Sequence, residues 1–305
     1  MIIVDHSFDI VGKEEEGEKR VEKSGLILEG GAMRSMFSAG VLDSFLDSGI
    51  EVPNVIAVSA GAYAGMNYVS GQRGRVLDAV IKPLETEKYM GFRTFLKKGT
   101  FFDMDLMFDE IPKWRVPFDF QAFSESAKKF IISTVNCLTG EAVYHDDFSD
   151  MDQFFRVCKA ANSMPFIAKI TEIDGTPMLD GGMADAIPIV RALEEGWKKI
   201  VVVMTRDKKY RKKQRHIYLA FLKLVYHKYP EFVHMVAGRA KKYNDTLDML
   251  ERLEEEGRAF ILRPAEGMNL ENNESDADRL REYYRHGYEV SEEKKDELRD
   301  FLREQ

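Results

Sequence analysis

Between residues 24 and 206, short apolar runs alternate with longer stretches in which apolar positions recur three and four apart. This is the pattern of buried strands and of the helices that cover them. Gly25-Leu26-Ile27-Leu28-Glu29 is the first such run, and it ends in Gly30-Gly31, a tight-turn signal. Met33, Phe37, Val41, Leu42 and Phe45 then keep helical spacing over 33–46, with Gly49 placed as the C-terminal stop. Asn54-Val55-Ile56-Ala57-Val58 predicts a second buried strand, followed at once by a small-residue turn and an apolar helix over 60–69. Further strands are predicted at 130–135, 142–144, 177–179, 199–204 and 259–262, and helices at 150–161 and 187–195. This alternation predicts an α/β domain whose parallel sheet is covered on both faces.

The flanks break the pattern. Residues 12–23 are mostly charged, so 1–23 reads as a solvated leader before a core over 24–206. From Arg206 to Lys242 twelve lysines and arginines face only Asp207 and Glu231, with Tyr210, Tyr218, Phe221, Tyr226, Tyr229 and Phe232 interleaved. Residues 207–258 therefore read as a basic, aromatic helical region, and 259–305 as a last strand and an acidic helical tail packed on the core as a cap. The basic stretch reads first as a solvated helix face paired with the acidic tail, with contact to anionic lipid headgroups as the alternative.

Composition narrows the classes. With 305 residues, 44% of them hydrophobic, the chain supports one large domain or two modest ones and is not globally disordered. A net charge of −8 argues against a protein that coats nucleic acid. The two cysteines, Cys137 and Cys158, make no disulfide framework and have no metal-ligand spacing. No apolar run approaches the roughly 18 residues that span a bilayer. The first residues lack a cationic segment ahead of a long apolar one, so no secretory signal is expected. The expectation is a cytoplasmic protein.

Three segments carry candidate chemistry. Ala57-Val58-Ser59-Ala60-Gly61 lies between a predicted strand and a predicted helix, where a serine on a sharp turn projects its hydroxyl from the carboxyl end of the sheet. It approximates G-x-S-x-G, and the alternative is a serine that merely caps the helix. Gly30-Gly31-Ala32-Met33-Arg34 can aim backbone N–H groups at an anion. An oxyanion hole, a dinucleotide phosphate loop with Glu51 downstream, or a plain turn all fit; Arg34 either supports the loop through its carbonyls or adds positive potential. Asp180-Gly181-Gly182 follows a short strand, where a carboxylate can act as general base, or where a D-G turn from Ile173-Asp174-Gly175 closes a hairpin. None of the six histidines stands on a short turn after an apolar strand in the second half of the chain, which leaves a serine–aspartate pair.

Glycine loop, serine elbow and D-G-G, in this order, resemble the patatin-like phospholipases, over roughly Ser24 to Arg206. The resemblance includes Ala161-Asn162-Ser163-Met164-Pro165, similar to the family's A-x-S-x-P segment, and Pro188 six residues beyond Gly182. It implies a three-layer α/β/α sandwich and a lipid acyl hydrolase with Ser59 as nucleophile and Asp180 as base. It also implies an oxyanion hole from the N–H groups of Gly30, Gly31 and Ala32, with Ala57 and Gly61 shaping the elbow and Gly181 and Gly182 the base loop. No metal and no cofactor are expected. The substrate expected is a lipid or acyl ester, and peripheral contact to an anionic membrane is the alternative use of the basic stretch. The departures are Ala32 for the loop's third glycine, Ser35 for the glycine after arginine, Ala57 in the elbow, and Ala186 where many members have asparagine. An acyltransferase or thioesterase using the same serine, or a silent lipid-binding protein, are the alternatives.

Overall fold

The computed structural model describes residues 23–268 and 270–303. The charged leader lies, but for Lys23, outside the described residues.

The first half begins with β1 (Ser24–Leu28), α1 (Ser35–Ser48), β2 (Asn54–Val58) and α2 (Ala60–Val69). The short helices α3 (Lys82–Glu87), α4 (Phe92–Lys98) and α5 (Phe120–Ser124) follow, then β3 (Lys129–Asn136), β4 (Ala142–His145) and α6 (Met151–Ala161). The second half holds β5 (Thr171–Ile173), β6 (Thr176–Asp180), α7 (Ile189–Glu194) and β7 (Lys199–Val203). It closes with α8 (His216–Val225), α9 (Pro230–Glu255), β8 (Ala259–Leu262), α10 (Ala277–Glu293) and α11 (Lys295–Arg303).

The strands join one mixed sheet in the order β5-β6-β3-β2-β1-β7-β8, with β4 pairing β3 as well. The run β3-β2-β1-β7-β8 is parallel, while β4, β5 and β6 run against their neighbours. Strict alternation divides the central strands between two cores. Leu26, Leu28, Val55, Ala57, Phe130 and Ile132 face a layer that includes α1, α2 and α6. Ile27, Ile56, Ile131, Ile200 and Val202 face a layer with Trp197 and the α9 residues Tyr243, Leu247 and Leu250. Both faces are therefore dry, as a parallel sheet requires, and the architecture is a three-layer α/β/α sandwich.

The expected helix over 33–46 starts as a 3₁₀ turn, Ala32–Arg34, before α1, and Gly49 closes it at φ 63°. The tail helix α10 packs on α1, where Tyr284 donates to Asp43 at 2.6 Å and the Ser44 hydroxyl donates to Ser291 at 2.8 Å. Among the described residues no helix is long and apolar enough to cross a membrane.

Register places the site. Ile132 and Ser133 of β3 pair with β2 on one edge and β4 on the other, whereas Thr134 pairs with β4 and with Asp180 of β6. A strand has two edges, so β2 and β6 share one of them, lying end to end. Val58 sits opposite Ser133 and Asp180 opposite Thr134. Since β2 runs with β3 and β6 runs against it, the carboxyl ends of the two strands meet.

Candidate active site

At that junction the Ser59 hydroxyl donates to Asp180 Oδ2 at 2.5 Å. Ser59 adopts φ 54°, ψ −133°, a region that a non-glycine residue occupies at a cost of about 1–3 kcal/mol. It begins α2 but makes no side-chain capping bond; its hydroxyl is committed to Asp180 instead. The elbow closes because the Ala62 N–H donates to the Ser59 carbonyl at 2.8 Å. Gly61 has no room for a side chain: a Cβ there would fall 2.8 Å from the Leu28 carbonyl oxygen. Ala57 lies in β2 and is fully buried, and it is not among the residues at positive φ. The position therefore asks for no positive φ, the freedom for which glycine would be needed.

Asp180 is held from three sides. Its N–H donates to the Ser163 carbonyl at 3.0 Å, so the Ala161–Pro165 segment anchors Asp180. The Gly182 N–H donates to Oδ1 at 2.8 Å, which leaves Oδ2 for Ser59. Arg239, on α9, donates through Nε to the Gly182 carbonyl at 2.9 Å and braces the Asp180–Gly182 loop from outside the predicted core. Burial raises the Asp180 pKa from 3.8 to about 6, against the opposing pull of Ser59, Gly182, Arg239 and Lys212. The D-G hairpin is present too, but Asp174 (φ 49°) and Gly175 (φ 76°) form its turn, ahead of Asp180 in the chain.

The glycine loop faces the same point. Gly30 passes so close to Ser59 that a Cβ would lie 2.7 Å from the serine Cβ. Among the described residues the N–H groups of Gly30, Gly31 and Ala32 have no hydrogen-bond partner. Ala32 stands at φ 49°, the conformation that glycine takes freely and alanine at a cost of about 1–2 kcal/mol. Among the described residues the Arg34 guanidinium makes no bond to the loop carbonyls, and its buried Nε and Nη1 have no hydrogen-bond partner. Burial, then Arg206, lowers its pKa. Glu51 pairs with Lys128 beside the opposite end of β2, far from the loop, which removes the acid that a dinucleotide site needs.

Two cavities open on Ser59. One, of about 140 Å³, is walled by Met33, Met36, Tyr63, Val80, Met107 and Phe108 and is mostly apolar. The other, of about 400 Å³, also contains Asp180 and the glycine loop and is lined by cationic side chains. Glu29, buried below the second, accepts from Tyr243 at 2.6 Å and from the Thr205 N–H and hydroxyl at 2.7 and 3.0 Å, tying β1 and the segment after β7 to α9. Among the described residues no histidine lines either cavity, and no group of three or more His, Cys, Asp and Glu is placed to hold a metal. Cys137 and Cys158 are free and buried.

A family model described as patatin-like phospholipase matches residues 26–193, more than half of the chain. A second, described as a domain of unknown function (DUF6363), matches residues 229–303. The uncharacterized protein YjjU of Escherichia coli K12 is 25% identical over 185 residues, which cover 59% of this chain and 51% of that protein. The chain thus matches about half the length of this curated relative. The crystal structure of VipD from Legionella pneumophila aligns over 90% of this chain and 67% of that one, at 11% identity and a TM-score of 0.46.

Proposed function

The chain belongs to the patatin-like phospholipase family, and from that premise we propose that it is a serine acyl hydrolase acting on lipid esters through a Ser59–Asp180 dyad. The observation that carries the reading is the 2.5 Å hydrogen bond between these two side chains, at a strained serine beside three unpaired backbone N–H groups. In the first step Ser59 Oγ attacks the ester carbonyl while Asp180 Oδ2 takes its proton. The carbonyl oxygen becomes an oxyanion and accepts from the Gly30, Gly31 and Ala32 N–H groups, each such donor typically lowering the barrier by about 2.7–4 kcal/mol. Collapse expels the alcohol, which leaves with the proton held by Asp180. Water then gives a proton to the same carboxylate as its oxygen attacks the acyl-enzyme, and collapse releases the fatty acid while Asp180 returns the proton to Ser59 Oγ. A carboxyl pKa of about 6 keeps Asp180 mostly ionised at neutral pH yet basic enough to accept a proton.

The apolar cavity suits the acyl chain and the cationic one the rest of the lipid, with the ester at their junction. The membrane surface proposed to deliver it is α8, whose Ile217, Phe221, Leu224 and Val225 are exposed beside Lys213, Arg215, Lys223 and Lys228. Its neighbours Tyr218 and Leu219 line the cationic cavity. An anionic leaflet matches both the apolar face and its charge. Part of the basic stretch is already paired, Arg211 with Glu251 and Lys209 with Glu266, so the lipid contact falls to the remainder.

A panel of lipid and p-nitrophenyl esters assayed with wild type and Ser59→Ala tests the activity. Hydrolysis by the wild type alone is expected, and equal rates in the two proteins would refute it. Added alcohol or thiol acceptors that outcompete water would instead favour acyl transfer.

A further inference from the structure

Six cationic side chains, Arg34, Arg206, Lys212, Lys213, Arg215 and Arg239, line the larger cavity, where the acidic residues are Glu29 and Asp180. Both carboxylates are engaged, Glu29 by Tyr243 and Thr205 and Asp180 by Ser59 and Gly182. None of the six cations forms an ion pair among the described residues. Arg206 lies over the Tyr210 ring at 4.5 Å and Lys212 over the Tyr243 ring at 4.3 Å, so aromatic faces hold the charges without neutralising them. Two buried guanidinium nitrogens of Arg34 have no acceptor among the described residues. Donors of this kind are costly to bury unless something accepts from them. The surrounding chain carries a net −8, so this concentration of positive charge runs against the overall balance.

We propose that this chamber is a headgroup subsite for a phosphate monoester, so that the preferred substrates are acyl glycerol phosphates rather than lipids whose phosphate carries a choline. A terminal phosphate offers three acceptor oxygens and up to two charges, which a guanidinium meets bidentately and an ammonium as a point charge. A phosphocholine brings a quaternary ammonium into a chamber already crowded with cations, and like charges oppose its entry. The crowding registers in Lys212, whose pKa falls to about 7 through burial and through Arg239, Arg34 and Arg206. A bound dianion relieves that repulsion. The inference rests on the acyl-hydrolase reading for the meaning of "substrate", while the binding site itself stands apart from turnover.

The test uses full-length Ser59→Ala protein, in which lipid binds without being cleaved. Calorimetry compares octanoyl glycerol phosphate, octanoyl glycerophosphocholine and inorganic phosphate at one salt concentration. The phosphate monoester is expected to bind at least tenfold more tightly than the phosphocholine, and inorganic phosphate far more weakly than either lipid. Arg206→Gln is expected to lower the ratio of the two lipid affinities about tenfold, the loss of one charge-assisted contact. Arg34→Gln gives the same readout at a second position should either variant fold poorly. Equal affinity for the two lipids overturns the subsite. Inorganic phosphate binding as tightly as the lipid also overturns it, since the ligand would then be free phosphate. Wild-type turnover separates the two ideas. Selective binding with no hydrolysis of either lipid refutes the hydrolase and keeps the subsite, and hydrolysis without selectivity does the reverse.

Discussion

Replacing Asp180 by asparagine is expected to end the chemistry while making the folded protein harder to unfold above pH 6. The carboxyl is 1% exposed, and burial lifts its pKa from 3.8 to about 6. Between those values the unfolded chain gives up the proton while the folded chain keeps it. The group's contribution to stability is therefore fully present below about pH 4 and is lost as pH rises through 6. The displacement corresponds to about 3 kcal/mol, a sizeable share of a typical domain stability. Asparagine is close in shape and does not ionise, so it avoids that loss, though it replaces one acceptor oxygen with an amide donor. Urea unfolding of both proteins from pH 4 to pH 8 isolates the effect, because the other titrating groups are common to both and cancel. The variant's stability relative to wild type should rise by about 2–3 kcal/mol across this range, with the steepest change between pH 4 and 6. A pH-independent difference, or one that moves the other way, would mean that the carboxylate is well accommodated where it sits and that its basicity is not raised.

In the proposed mechanism the same ionisation sets the rate. The kcat/KM of a neutral ester should rise with pH to a plateau with a midpoint near 6; a flat profile from pH 5 to 8 removes Asp180 as the base. Arg239→Met takes away a cation that lowers the Asp180 pKa and a donor to the base loop, so that midpoint should move upward, and an unchanged midpoint counts against the brace. Ala32→Gly relieves a positive φ and should leave stability unchanged or raise it by up to about 1 kcal/mol, where a helix interior would lose about as much; a clear loss in urea unfolding would contradict the strain. Val80→Phe narrows the apolar cavity, and the octanoyl-to-butyryl rate ratio should fall if acyl chains lie there.

The sequence was most legible where burial left a continuous apolar run. The central strands read cleanly because both faces of a parallel sheet are buried, which turns each strand into a short apolar run cut off by glycine. Ser59, Asp180 and the glycine loop were legible as small-residue punctuation at strand ends. What the pattern did not contain was their juxtaposition. It depends on β6 entering the sheet against β3 exactly where β2 stops, a register fact spread over residues more than a hundred positions apart. The wall of the apolar cavity was illegible for a different reason. Residues Leu77–Ile81 and Leu106–Arg115 form π-helical turns, the second with Pro112 inside it, and their wider turn destroys the 3.6-residue period that a helix is read by. Arg239 and Tyr243 were visible only as members of a basic, aromatic stretch, since their partners, Gly182 and Glu29, lie far back in the chain.

Trapping the covalent intermediate tests the dyad most directly. Wild-type protein mixed with a p-nitrophenyl ester, quenched in acid within the first turnover and digested for mass spectrometry, should carry one acyl group on the peptide containing Ser59. Ser59→Ala should carry none there. An adduct on another residue, or ester hydrolysis that persists in Ser59→Ala, would contradict the account.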